Sequence, residues 1–237
     1  MFRKRGGPRH VRPGDAPPSA ALAQSLASEA DAPAPAHGPY DARFAPEGVQ
    51  RLDLGSLQIP AVDGVEVRVQ ANPEGGVEQV VLVDGGNALQ VGVFAAPRSE
   101  GIWNEVRAEI AASMSADGAT PREIRGRYGV ELIARVNTPD GPADVRFVGV
   151  DGPRWMVRAL YQGPAAADPD YAGALAECLN GLVVVRDEEP RPVREALPLQ
   201  LPKEMAEHAQ QHAEQQAEQQ AAPPPVAPPT NGRGPRR

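Results

Sequence analysis

Imidazole is scarce in this chain, and scarcest where chemistry would need it. The four histidines are His10, His37, His208 and His212, and all fall in segments whose composition predicts no fold. A folded part without histidine excludes Ser-His-Asp and Cys-His nucleophilic mechanisms, histidine acid–base catalysis and most catalytic zinc or non-haem iron sites. Cysteine is scarcer still. Cys178 stands alone, so no internal disulfide is expected, which fits a reducing compartment. No run approaches the ~20 consecutive apolar residues that cross a bilayer. Met1-Phe2-Arg3-Lys4-Arg5 leads into Gly, Pro and more Arg, without the apolar core of a signal peptide. The expected location is the cytoplasm, with no membrane contact. Four Phe, four Tyr and two Trp are too few for the interleaved aromatic and basic sheet of an RNA-binding domain. No Gly-Lys-Thr or Gly-Lys-Ser occurs, so there is no phosphate-binding loop of that kind.

What the chain has in excess is glycine (24) and proline (27), more than a fifth of its 237 residues. That density is too high for one uniformly packed body. Residues 1–45 are Ala, Pro, Gly and charge, and cannot bury enough surface to offset the entropy of ordering. Residues 203–237 pass from Ala, Gln and Glu of helical propensity, with no apolar stripe, into Pro223-Pro224-Pro225 and Pro228-Pro229. Both are expected to be disordered tails around a single domain at 46–202. The net charge of −7 is uneven. Arg3, Lys4, Arg5, Arg9 and Arg12 make the head basic, whereas 46–202 holds 14 Arg against 23 Asp plus Glu. An acidic globule repels phosphate backbones. Nucleic acid is therefore an unlikely partner of the core, and weak contact through residues 1–13 is the form such binding would take.

Between the tails, short β-type runs alternate with turn residues. Val65, Val67 and Val69 alternate with Glu66, Arg68 and Gln70, the period of a half-solvated strand. Runs at 77–83 and 88–94 follow, joined by Asp84-Gly85-Gly86-Asn87, whose glycines suit a tight hairpin. Ile102, Trp103, Val106, Ile110 and Met114 recur at helical spacing, with Ser99 placed as N-cap. Strands are predicted at 122–127, 130–136, 145–150 and 155–161. A second helix is predicted from Asp168-Pro169, with Leu175, Cys178, Leu179 and Leu182 inward, and then a short strand of valines at 183–185. Without strand–helix alternation, the fold class is α+β: an antiparallel sheet of about seven strands covered by two main helices.

Candidate chemistry is sparse. Cys178 sits on an apolar helix face, where a thiol is a small hydrophobe of raised pKa. Asp84-Gly85-Gly86-Asn87 opens no helix and cradles no phosphate. Glu66, Asp84, Asp151 and Asp187-Glu188-Glu189 stand in no catalytic frame. No catalytic residue, metal site or cofactor is expected. The one cluster of note is Arg98, Trp103, Arg154, Trp155 and Arg158, where both tryptophans lie close to arginines. Such residues dominate binding hot spots, and they make a candidate surface for a protein partner. The same tryptophans also suit a helix stripe and a strand interior. Oligomeric state is left open.

Arg51-Leu52-Asp53-Leu54-Gly55-Ser56-Leu57, Phe94-Ala95-Ala96-Pro97-Arg98-Ser99, Ile102 to Arg107, Val145 to Trp155 and Gly163-Pro164-Ala165-Ala166 resemble an actinobacterial family described as domain of unknown function 3710. The resemblance covers the core and neither tail, and carries no catalytic residues with it. Family genes neighbour that of dUTPase, which makes a carboxylate and divalent-metal enzyme of nucleotide metabolism the alternative to a non-enzymatic binding or accessory protein. The strand at 155–161, the linker to Asp168, the following helix and the closing valines are similar to the end of a Mog1/PsbP-like fold.

Overall fold

The computed structural model describes residues 36–72, 76–98, 100–139 and 141–202. The chain divides into Met1–Ala36 and His37–Arg237, and the description below concerns the second unit. The tails expected at 1–45 and 203–237 lie outside the described residues, apart from 36–45.

Two sheets face each other. The larger has seven strands in the order β4-β5-β6-β10-β9-β8-β7, built from β4 (Glu66–Ala71), β5 (Val77–Asp84), β6 (Asn87–Ala95), β7 (Arg122–Gly126), β8 (Gly129–Thr138), β9 (Gly141–Gly152) and β10 (Trp155–Gln162). Every neighbouring pair is antiparallel. β4-β5-β6 and β7-β8-β9-β10 are two meanders, and the join between them runs in register from Trp155↔Ala95 to Gln162↔Ala88. The α+β class and the seven-stranded antiparallel sheet are those read from the sequence. The two main helices are α1 (Trp103–Ala116) and α3 (Gly173–Gly181), with a single turn, α2 (Pro164–Ala167), before the latter.

Of the smaller sheet only the strand of valines was anticipated. It has the order β1-β11-β3-β2, from β1 (Tyr40–Asp41), β2 (Arg51–Asp53), β3 (Leu57–Pro60) and β11 (Val183–Val184). β1 lies parallel to β11. Its presence moves the N-terminal limit of ordered structure ahead of residue 46. The Tyr40 amide donates to the Leu182 carbonyl at 2.8 Å, and Gly38 lies so close to the Asn180 carbonyl that a Cβ would collide with it. A two-residue strand needs no apolar run, so composition gave it no signal.

Period-two alternation puts Val80, Leu82, Leu89, Val91, Val93, Val157 and Ala159 on one face of the large sheet, all buried. There they meet Leu54, Leu57 and Ile59 of the small sheet segment and Leu175, Cys178 and Leu179 of α3. This inner layer is the main core. At about 1.5–3 kcal/mol for each large apolar side chain taken fully out of water, it dominates the fold.

Helix α1 covers part of the opposite, outer face. Trp103 lies over Gly149 of β9, where any Cβ would fall inside the indole, and its Nε1 donates to the Val130 carbonyl of β8 at 2.7 Å. Ile102, Trp103 and Met156 form the buried centre of this layer, flanked by Phe94, Val106, Ile110 and Phe147. Ser99, placed as the cap from sequence, lies outside the described residues. The first amides of α1 donate instead to Asp151, at the end of β9: the Ile102 N–H at 2.9 Å and the Trp103 N–H at 3.2 Å to the same carboxylate oxygen. The cap thus comes from 49 residues away in the chain. At the second helix, Asp168 caps a 3₁₀ turn at Pro169–Ala172, and α3 begins only at Gly173.

The last described segment completes the large sheet. β5 and β6 are paired from Val80↔Val91 to Asp84↔Asn87 and then part. Residues 194–200 enter the split. The Arg194 amide donates to Ala95, the Ala95 amide to Glu195 and the Leu197 amide to Val93, while the Val77 amide donates to Leu199. Arg194, at φ 73°, then reaches Glu109 and Glu105 on α1, each at 2.7 Å.

Overpacking at Gly149 and loss of the Asp151 cap probe the seat of α1. Gly149→Ala is expected to cost about 3 kcal/mol, or roughly 6–12 °C in Tm, and Asp151→Ala about 1 kcal/mol, or roughly 2–4 °C. Thermal unfolding followed by circular dichroism measures both, and an unchanged Tm for Gly149→Ala would show that Trp103 is not seated on this glycine.

Candidate binding site on the open sheet face

The five residues singled out from sequence do not form one surface. Trp103 and Trp155 are 4% and 2% exposed, and they lie on opposite faces of the large sheet, Trp103 brought to the outer face by α1 and Trp155 turned inward from β10. Trp155 belongs to the inner core, with its Nε1 donating to Asp41 at 3.3 Å. Arg154 occupies the β9–β10 turn at φ 65°, where its carbonyl accepts from the Ala96 amide at 3.0 Å. Arg98 is exposed in the loop between β6 and α1. An exposed Arg–Trp patch is therefore not what these residues make. Indoles of this size are worth more buried than displayed, and each finds one acceptor inside.

Arg158 is different. Its neighbours across the sheet are Gly92 on β6 and Gly149 on β9, two positions with no side chain. Trp103 lies over Gly149, and the Phe94 ring leans over Gly92, within about 3.0 Å of where a Cβ would stand. The Arg158 guanidinium carbon lies 4.9 Å from the centroid of the Phe94 ring. Among the described residues it makes no hydrogen bond or ion pair with any side chain or carbonyl. Burial pushes its pKa down from the usual guanidinium value, although an arginine keeps its proton at any physiological pH. A cation–π contact worth about 0.5–2 kcal/mol leaves the guanidinium edge without an acceptor.

Around Arg158 the outer face forms a hollow of about 240 Å³ where β5 and β6 part. Phe94, Phe147 and Leu160 supply apolar walls, and Gln79 and Gln90 supply amides. Leu197 and Leu199 of the inserted segment line the opening of the split. Phe94 and the two glutamines gave no sequence signal, because they meet Arg158 only through strand pairing.

Four of the carboxylates considered from sequence are occupied elsewhere. Glu66 pairs with Arg68, Asp151 caps α1, and Asp187 and Glu189 hold Arg186 and Arg191. Among the described residues no group of three or more His, Cys, Asp or Glu converges in a way that would hold a metal.

A second polar cluster lies at the far end of the inner face. Arg146 and Glu131, 5% and 3% exposed, stand 3.4 Å apart. Arg146 also donates to the Ala165 carbonyl at 2.9 Å and stacks on Tyr161 with 4.6 Å to the ring centroid. Burial raises the Glu131 pKa against the opposing pull of Arg146, and raises Tyr128 to about 12. His37 packs edge-on to Tyr128 with ring centroids 5.7 Å apart. This corrects the expectation that the folded part has no histidine. The half-buried His37 belongs to it, held where Gly38 presses against Asn180. Its Nδ1 and the Tyr128 hydroxyl are both buried without a partner.

The comparisons with known proteins bear on the whole folded unit. The family model described as "Protein of unknown function (DUF3710)" matches residues 38–208. The chain belongs to this family. DUF3710 thus begins at the strap that carries β1, in keeping with the early start of ordered structure. No curated protein matches the chain. Among solved structures it is similar to "Solution Structure of Cyanobacterial PsbP (CyanoP) from Synechocystis sp. PCC 6803", at 14% identity and a TM-score of 0.34, covering 57% of this chain and 92% of that one. Likeness at this level carries no function across. Within this DUF3710 member, no helix among the described residues is long and apolar enough to cross a membrane.

Cys178 is fully buried, and burial pushes its thiol up to about 11. Ellman's reagent should leave it unmodified at pH 8 and react once denaturant opens the fold. Because the folded-state pKa values of Cys178 and Tyr128 are raised, the stability tied to them is complete below about pH 9 and falls as pH climbs toward 12. Denaturant midpoints measured from pH 8 to 11 should decline, and a midpoint that rises over that range would contradict the burial of these groups.

Proposed function

We propose that this chain is a non-enzymatic binding protein whose recognition surface is the open part of the seven-stranded sheet around Arg158. One observation carries the reading: in a folded unit rich in carboxylates, Arg158 lies in a hollow, over the Phe94 ring, without a carboxylate partner among the described residues. Three arginines at or beside β10 and the inserted segment have a visible structural task. Arg154 shapes a turn, and Arg191 and Arg194 bind acids. Of the cluster read from sequence, Arg158 is the binding residue and Trp103 its structural border. The same proposal keeps a single folded body between two tails, in the cytoplasm.

Affinity capture from the native host, combined with native mass spectrometry of the recovered protein, tests it. The full-length chain should retain at least one species that Arg158→Gln loses. Arg98→Ala and Arg154→Ala, both away from the hollow, should retain it. Identical sets for wild type and a folded Arg158→Gln would sink the proposal.

A further inference from the structure

Resting on that binding reading, we infer that the hollow takes the carboxylate of a small amphipathic acid, with the acid group against Arg158 and the apolar body against Phe94, Phe147 and Leu160. Four features of the site select this chemistry.

The first is charge. Among the described residues the guanidinium is the only cation lining the hollow, and Glu78 is the only acid. One cation with one nearby carboxylate suits a monoanion, whereas a phosphate dianion or a nucleotide would lack compensation for its second charge. No glycine-rich loop or helix start lines the hollow to supply backbone donors. The second is shape. A guanidinium stacked on one ring keeps its N–H edge free to meet a planar carboxylate with two parallel hydrogen bonds.

The third is the supporting set. Gln79 and Gln90 project on the same face as Arg158, and neither makes a side-chain hydrogen bond among the described residues. Their amides stand ready to donate to whatever the guanidinium holds. The fourth is size and polarity. At about 240 Å³ the hollow lies below the ~300–1,000 Å³ of sites for drug-sized ligands. Its apolar walls exclude a ligand that is charged throughout. A short aliphatic or aryl acid meets both limits.

Phenylacetate and hexanoate are suitable probes for the full-length chain, followed by ¹⁵N-resolved NMR of the arginine side chains and the backbone. Phenylacetamide, inorganic phosphate and a short acidic peptide are the controls. Saturable shifts should appear at Arg158, Gly92 and Phe94 with the two acids, and should be roughly 10- to 100-fold weaker with phenylacetamide. Arg158→Gln should abolish them. Gln90→Glu, an exposed-face change that spares the core, should weaken the acids and leave phenylacetamide unaffected. Arg158-dependent shifts with phosphate or an acidic peptide but not with the two acids would overturn the ligand assignment while leaving the binding face in place. Absence of any Arg158-dependent shift with all probes would overturn both. Shifts of equal size in wild type and folded Arg158→Gln would likewise overturn both.

Discussion

The eight-residue antiparallel register between β6 and β10 is the constraint on which the other features rest. It joins two meanders that would otherwise be separate small sheets, neither of which could bury both of its faces. It puts Val91, Val93, Val157 and Ala159 together under the small sheet and α3, and on the other side sets Arg158 directly across from Gly92. A slip of one residue would exchange the two faces. The core residues would then face solvent and Arg158 would enter the apolar layer. The burial of Leu89, Val91, Val93 and Ala95 in an unbroken alternation makes that exchange prohibitively costly, so the position of the guanidinium is fixed by the core behind it.

Glycine does for the outer face what the valines do for the inner one. Gly149 lets Trp103 lie flat on the sheet, and Asp151, two residues on, receives the first amides of the same helix. One short stretch of β9 therefore supplies both the floor and the cap of α1. Helix α1 stops short of β4 and β5, and what it leaves uncovered is the hollow at Arg158.

The strands and the two long helices were legible because each carries its own periodicity: Val65–Val67–Val69, the runs on either side of Asp84-Gly85-Gly86-Asn87, and the stripe from Ile102 to Met114. The small sheet was not, apart from the valines of β11, since strands of two to four residues are shorter than any period that could announce them. His37 was assigned to a tail because the residues before and after it are those of a tail, and only its packing on Tyr128 shows otherwise. At the site, Arg158 was legible only as one of the arginines close to the tryptophans, and its setting was not. Gly92 and Phe94 lie more than sixty positions earlier, and the hollow arises from where β5 and β6 diverge. The tryptophans misled for a related reason: nearness to arginine in sequence does not put an indole on the surface, and both are buried on opposite faces of the sheet.

The insertion of residues 194–200 between β5 and β6 has a consequence for how the chain comes into being. Synthesis runs from the N-terminus, so both lips of the split emerge from the ribosome some hundred residues before the strip that seals them. During that interval the first half of β5 and the last half of β6 present unsatisfied N–H and C=O groups, the arrangement by which sheets from different molecules recruit one another. The growing polypeptide is thus exposed to self-association in the window between translation of β6 and of Leu197, and closure of the hollow at Arg158 is among the last events of its maturation.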